Sequence, residues 1–299
     1  MSWFYLALLA PLFFAIVNLI DDNLVHHVYK GPYFGAIISG FFGALPLASL
    51  IFLDRQAVNP TVALMGVLAG FLTVVYYFFY FKALELESPS IVIAMFSLTP
   101  AAVPFLAYLF LGERLLAVQI LGFIVVLLAS FGLAMTEVRK FKFTKALKHV
   151  LAAALIFDIV SILSKHVYQS TDFYTGYMLF ACGMGIGGLY FLLVLAFLKS
   201  QNIVKDLKQN AGKIIVLLVL AEFVAIVAEF TQNLAISRGP VSLVKVVGGI
   251  QPIYVLMIAL LFYRFSPKHF REAAEGGLVK KFSLMSVILV GLYFISINQ

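Results

Sequence analysis

Ten apolar runs of membrane-spanning length follow one another along the chain, at about 3–24, 33–53, 61–82, 89–111, 116–136, 147–167, 173–198, 213–236, 240–263 and 282–297. Roughly 20 apolar residues wound as a helix reach across the hydrocarbon core of a bilayer. No run alternates apolar and polar residues as a strand would. Lipid also demands that every backbone hydrogen bond be closed, so each run predicts a helix. Between the runs stand ordinary loop signals: Lys30-Gly31-Pro32, the stretch 54–60, Glu85-Leu86-Glu87-Ser88-Pro89 and Arg238-Gly239-Pro240. The longest polar stretches, 199–213 and 264–281, are too short for a folded domain. Met1-Ser2-Trp3-Phe4 lacks the basic opening of a signal peptide, so the first run is read as a retained span.

Composition sharpens this into a class. Hydrophobic residues make up 63% of the 299 and charged residues 12%, where a soluble domain has about 45–50% and about 25%. No soluble core could hold that excess. One cysteine excludes a disulfide framework or a Cys-rich metal site. The net charge of +7 raises the question of nucleic acid, and the placement of the charges answers it. Sixteen Lys and Arg lie in the connections that follow odd-numbered spans, four lie on the opposite side, and Lys245 lies inside a span. The positive-inside rule then puts the odd-numbered loops in the cytoplasm and both termini outside. The basic excess is a topology signal with some attraction to anionic headgroups. The expected setting is a multi-pass protein of the cell membrane with the lipid bilayer as partner and no nucleic acid.

The chain repeats itself. Phe14-Ala15-Ile16-Val17-Asn18-Leu19-Ile20 in the first span matches Phe157-Asp158-Ile159-Val160-Ser161-Ile162-Leu163 in the sixth, at an offset of 143. Spans 3–4 and 8–9 align at 152, pairing Ala83 with Ala235, Ser90 with Ser242 and Pro100 with Pro252. Gly132-Leu133 matches Gly291-Leu292 at 159, a drift that loop insertions produce. Five spans per half is an odd number, so the halves run in opposite orientations. The expected fold class is an all-α polytopic membrane protein, ten transmembrane helices forming two inverted five-helix repeats, residues 1–140 and 141–299. That is an architecture of alternating-access transporters.

Tyr80-Phe81-Lys82-Ala83, then Pro100, then Phe110-Leu111-Gly112-Glu113-Arg114, then Gln119-Ile120-Leu121-Gly122 resemble the EamA-type signature of the drug/metabolite transporter (DMT) superfamily. The resemblance spans the chain and implies a ten-helix transporter of small metabolites with a central cavity. It implies no particular cargo, because the superfamily's cargoes are diverse. The second half departs from the pattern, with Tyr263-Arg264-Phe265 where Leu-Gly-Glu is expected. Orientation is a second departure, since familiar members have both termini cytoplasmic.

Ionisable groups inside spans cost roughly 2.5–3.5 kcal/mol each on insertion scales, so each calls for a reason. Asp158 in span 6, Glu222 and Glu229 in span 8, and Lys245 in span 9 all belong to the second half. Glu222, Glu229, Gln232 and Asn233 are spaced to share one helical face. Asp158, Ser161 and Lys165 share another, and Ser242, Lys245, Gly249 and Pro252 a third. Glu229 and Lys245 lie at matching depth from one interface, so they are expected to pair, as a packing ion pair or as part of a site. Three acids against one base leave the set at net −2, which suits a cationic substrate or protons, unless the acids are protonated by burial. Span 3 carries Tyr76-Tyr77-Phe78-Phe79-Tyr80-Phe81. About a pseudo-twofold axis Tyr77 faces Glu229, and aromatic faces beside carboxylates suit an organic cation. Most of the six are expected to meet lipid. Asp21-Asp22 are expected to close the first helix and touch water.

Gly183, Gly185, Gly187 and Gly188 in span 7, and Gly35, Ser39 and Gly43 in span 2, read as close helix packing. The histidines have no metal-binding spacing and Cys182 reads as a small buried hydrophobe. No cofactor is expected, and no Ser/His, Cys/His or His/Glu set lies at common depth for an intramembrane enzyme, the rival class. The expectation is a secondary transporter, not an enzyme. The leading cargo is an amine or other organic cation moved by alternating access. An uncharged metabolite or an amino acid is the alternative, and protons or sodium are the candidate coupling ions. Candidate binding residues are Asp158, Glu222, Glu229, Gln232, Asn233, Lys245, Tyr77 and Tyr80. Direction and oligomeric state are not written in the sequence.

Overall fold

A computed structural model describes residues 2–27, 31–52, 58–87, 92, 95–136, 146–198, 211–263 and 277–297. Its α-helices are α1 (Trp3–His27), α2 (Pro32–Gly43), α3 (Pro60–Leu84), α4 (Val103–Leu111), α5 (Ala117–Met135), α6 (Ala146–Ser170), α7 (Phe173–Phe197), α8 (Ala211–Arg238), α9 (Val241–Gly248), α10 (Gln251–Tyr263) and α11 (Leu278–Ser296). Among the described residues there is no strand. Nine segments are long and apolar enough to cross a membrane, and Thr99–Leu111 forms a shorter apolar piece. Leu64, Phe105, Phe110, Leu128 and Leu289 lie exposed on the outside of the bundle, as a lipid-facing surface requires.

Helix starts follow local chemistry. Asn59 accepts the Thr61 amide at 2.9 Å ahead of Pro60, and Asp172 accepts the Thr175 amide at 3.0 Å to start α7. Gln119 accepts the Leu116 amide at 3.0 Å at the start of α5. Three spans differ from the unbroken helices their hydropathy predicts. The second is α-helical only to Gly43 and then continues as a 3₁₀ stretch, Leu45–Phe52, around Pro46. In the fourth, a 3₁₀ turn at Thr99–Ala102 precedes α4. The ninth is interrupted at Gly249-Ile250, between α9 and α10. Prolines lack the amide that would continue the ladder, which accounts for breaks beside Pro46, Pro100 and Pro252. The first helix, by contrast, runs on past Asp21-Asp22 to His27.

The halves pack with the symmetry of a repeat in part, since the close α3–α7 contact has only a slight counterpart between α8 and α2. The largest helix contacts include α3 with α6 and α1 with α8, which exchange under the repeat, and α2 with α7 and α5 with α11, which map onto themselves. At the last interface a Cβ on Gly132 would lie 3.3 Å from the Leu284 side chain, and one on Gly291 3.0 Å from that of Val125. These are the same contact twice at an offset of 159. The glycine run of α7 is packing, as its spacing predicts: a Cβ on Gly183 would strike the Val67 carbonyl, and one on Gly187 would come within 2.8 Å of Val74. Ser90 lies outside the described residues, as do the side chains of Asp21 and Asp22. The pair Pro100 and Pro252 stands beside the two matching breaks.

Candidate functional site

The two matching breaks and α1, α3, α6 and α8 enclose a cavity of about 1170 Å³, its open mouth included. Pro11, Phe14 and Asn18 of α1, Tyr76, Tyr77, Tyr80 and Phe81 of α3, and Ala221, Glu222, Ala225, Glu229 and Gln232 of α8 line it. Ser97, Thr99 and Pro100 at one break face Gly249, Gln251 and Pro252 at the other. At an offset of 152 these are equivalent positions, and paired interruptions of this kind mark binding sites in inverted-repeat transporters.

Of the sequence candidates, Glu222, Glu229, Gln232, Lys245, Tyr77 and Tyr80 line the cavity. Tyr77 donates its hydroxyl proton to Glu229 Oε1 at 2.9 Å. Since 77 and 229 are repeat equivalents, this contact joins the two halves where α3 and α8 correspond. Asn233 stands behind Glu229: its amide nitrogen donates to the Glu229 carbonyl at 3.0 Å and to Glu229 Oε2 at 3.4 Å. Its oxygen accepts from Tyr168 at 2.8 Å, which fixes the amide's direction. Glu222 accepts from Ser39 at 2.9 Å, so Ser39 serves a carboxylate as well as helix packing. Tyr80 donates to Asn18 at 3.2 Å. Four of the six aromatics in the α3 run face the cavity, more than expected, while Phe78 packs on Phe191 and Tyr33.

The expected pairing of Lys245 with Glu229 is corrected. Lys245 Nζ lies 3.9 Å from Asp158 Oδ1, and 3.1 Å from the centroid of the Phe157 ring. Depth along a helix was the basis for choosing Glu229, and depth says nothing about azimuth. Asp158 is buried beside the cavity, at 1% exposure, with Phe157 presenting the face of α6 to it.

One end of the bundle is held by polar contacts that sequence reasoning missed. Glu113, in the Leu-Gly-Glu run, accepts the amides of Val241 at 2.8 Å and Ser242 at 3.1 Å, capping α9 from the other half. Gly112, at φ 66°, makes the left-handed turn that ends α4 and releases Glu113 toward α9. Lys165 donates to the carbonyls of Ile236 at 2.9 Å, Ser237 at 3.3 Å and Gly239 at 2.8 Å, holding the α8–α9 turn. Trp3 packs against Gly239 at the same end. Among the described residues, no group of three or more His, Cys, Asp or Glu could hold a metal ion.

The model of the EamA-like transporter family matches residues 1–135 and again 144–271. The chain belongs to the EamA-like transporter family. It is therefore a multi-pass membrane protein of the drug/metabolite transporter type, a transporter of small molecules. Twenty-nine solved chains match it. One, described only as a crystal structure of a protein, is 18% identical, covers 98% of this chain and 95% of its own, and has a TM-score of 0.72. That likeness is one of fold. No curated protein matches the chain.

Proposed function

We propose that this EamA-like chain is a secondary active transporter that moves a small organic cation, an amine in the leading case, by alternating access. The supporting observation is Glu229, a buried carboxylate on the cavity wall held by Tyr77 and Asn233 amid tyrosine and phenylalanine faces. A carboxylate ringed by aromatic faces attracts an ammonium by charge and by ring quadrupoles together. Glu222 adds a second acid to the same wall, while the Lys245 charge is offset by Asp158. Asn233 acts from behind the wall as a positioning residue. The two inverted halves, 1–140 and 141–299, supply the two-state element that opens the cavity to each side in turn.

The test is uptake of labelled amines, amino acids and uncharged metabolites by proteoliposomes, with and without an imposed pH gradient. Saturable uptake of an amine, with competition by other amines, is the expected result. Uptake confined to an uncharged metabolite would overturn the cation reading and leave the transporter reading intact.

A further inference from the structure

The Lys245 ammonium is a buried charge in the cavity wall with no hydrogen-bond acceptor in reach of Nζ. In water such a group donates three hydrogen bonds. Here it is held by two weaker influences. One is the Phe157 ring, 3.1 Å below Nζ, itself stacked on Tyr76 at 4.7 Å between centroids and 14° between planes. The other is Asp158, at 3.9 Å, too far for a hydrogen bond. An aromatic face and a carboxylate at ion-pair distance form a pocket for any organic ammonium, and a quaternary one loses least there because it has no N–H groups to satisfy. The stem of Lys245 is flexible, and it leaves α9 four residues before the Gly249-Ile250 interruption.

We infer that Phe157, Tyr76 and Asp158 form a cation pocket which the chain fills with its own Lys245, and that a cationic cargo enters it by displacing that side chain. The inference rests on the organic-cation reading and adds to it a recognition point on α6, separate from Glu229 on α8. Lys245 is then a tethered competitor. It weakens cation binding in the resting protein, and its charge also acts on Glu229 across the cavity wall.

The experiment measures tetramethylammonium binding to the full-length protein in lipid nanodiscs by calorimetry. Lys245→Met should bind this probe about tenfold tighter than the unaltered chain, or more, and Phe157→Leu added to Lys245→Met should remove the gain. Equal or weaker binding by a folded Lys245→Met protein would overturn the inference. Should Lys245→Met alone unfold because Asp158 loses its counter-charge, Lys245→Met with Asp158→Asn replaces it. A smaller Phe157-dependent gain is expected there, since the ring remains and the carboxylate is gone, and its absence has the same overturning force. An amine transported through Glu229 with no change in Lys245→Met sinks only the tethered-lysine inference. If neither tetramethylammonium nor a primary amine binds any variant, the organic-cation reading falls with it.

Discussion

At the scale of single residues, the cavity separates groups that meet cargo from groups that hold them. Glu229 accepts on both carboxylate oxygens, from Tyr77 on Oε1 and from Asn233 on Oε2. Tyr77→Phe removes one of these bonds and leaves the ring in place. Bonds to charged groups contribute about 1.5–3 kcal/mol, so amine affinity should change several-fold or more while the protein stays folded, measurable by ligand-binding calorimetry. Asp158 and Lys245 behave differently. Removing one partner of a buried ion pair leaves the other uncompensated, at a cost of about 3–5 kcal/mol. Asp158→Asn should therefore lower thermal stability in detergent markedly, and Asp158→Asn with Lys245→Met should recover most of it. Equal loss in the single and double variants would show that the pair is not what holds α6 to α9. The sequence made the acids and the lysine visible because charges stand out in apolar runs. It hid Asn18 and Ser39, which are lone polar residues indistinguishable there from packing positions, and it hid the azimuth that makes Asp158 the neighbour of Lys245.

At the scale of elements, hydropathy located nine spans to within a few residues among the described residues, the start of the fourth lying outside them, but smoothed over the breaks. An averaged apolar run reads alike whether its backbone is α-helical, 3₁₀ or interrupted, so the turns at Thr99–Ala102 and Gly249-Ile250 emerge only in three dimensions. The prolines at 100 and 252 were the available clue, since equivalent breaks in two repeats point to a site. Glu113 illustrates a different limit. Its place in the Leu-Gly-Glu run is plain, but the amides that donate to it lie 128 and 129 residues away in the other half. Glu113→Ala should leave the start of α9 uncapped, at about 1 kcal/mol, and loosen this end of the bundle. Cysteines introduced near Gly239 should then react faster with a thiol reagent, and an unchanged rate would deny Glu113 that role. Gly183→Leu should separate α7 from α3, because the added side chain meets the Val67 carbonyl. Overpacking of this kind costs about 1–3 kcal/mol, and thermal unfolding would register it.

At the scale of the whole molecule, Glu113, Lys165 and Trp3 hold one end of the bundle together, beyond the residues that line the cavity. That end carries the α4–α5 and α8–α9 connections, on the side poor in Lys and Arg. The positive-inside rule applied to that asymmetry puts the basic loops in the cytoplasm. A reporter at Gln299 should then react with an external, impermeant reagent in intact cells, whereas protection would restore the family's usual orientation with both termini inside. The repeat was legible in the sequence through offsets of 143, 152 and 159. The chemistry at its centre was legible in kind and incomplete in partners.

Solute counterflow of a labelled amine in proteoliposomes, comparing the unaltered chain with Glu229→Gln at matched incorporation and at several pH values, tests the role of Glu229 most directly. Glu229→Gln keeps the size of the side chain and one oxygen to accept from Tyr77, so folding and liposome incorporation should persist while counterflow falls to the level of empty liposomes at every pH. Full counterflow with an unchanged pH profile in a folded Glu229→Gln protein would contradict the assignment and leave Glu222 as the remaining acid of the cavity wall.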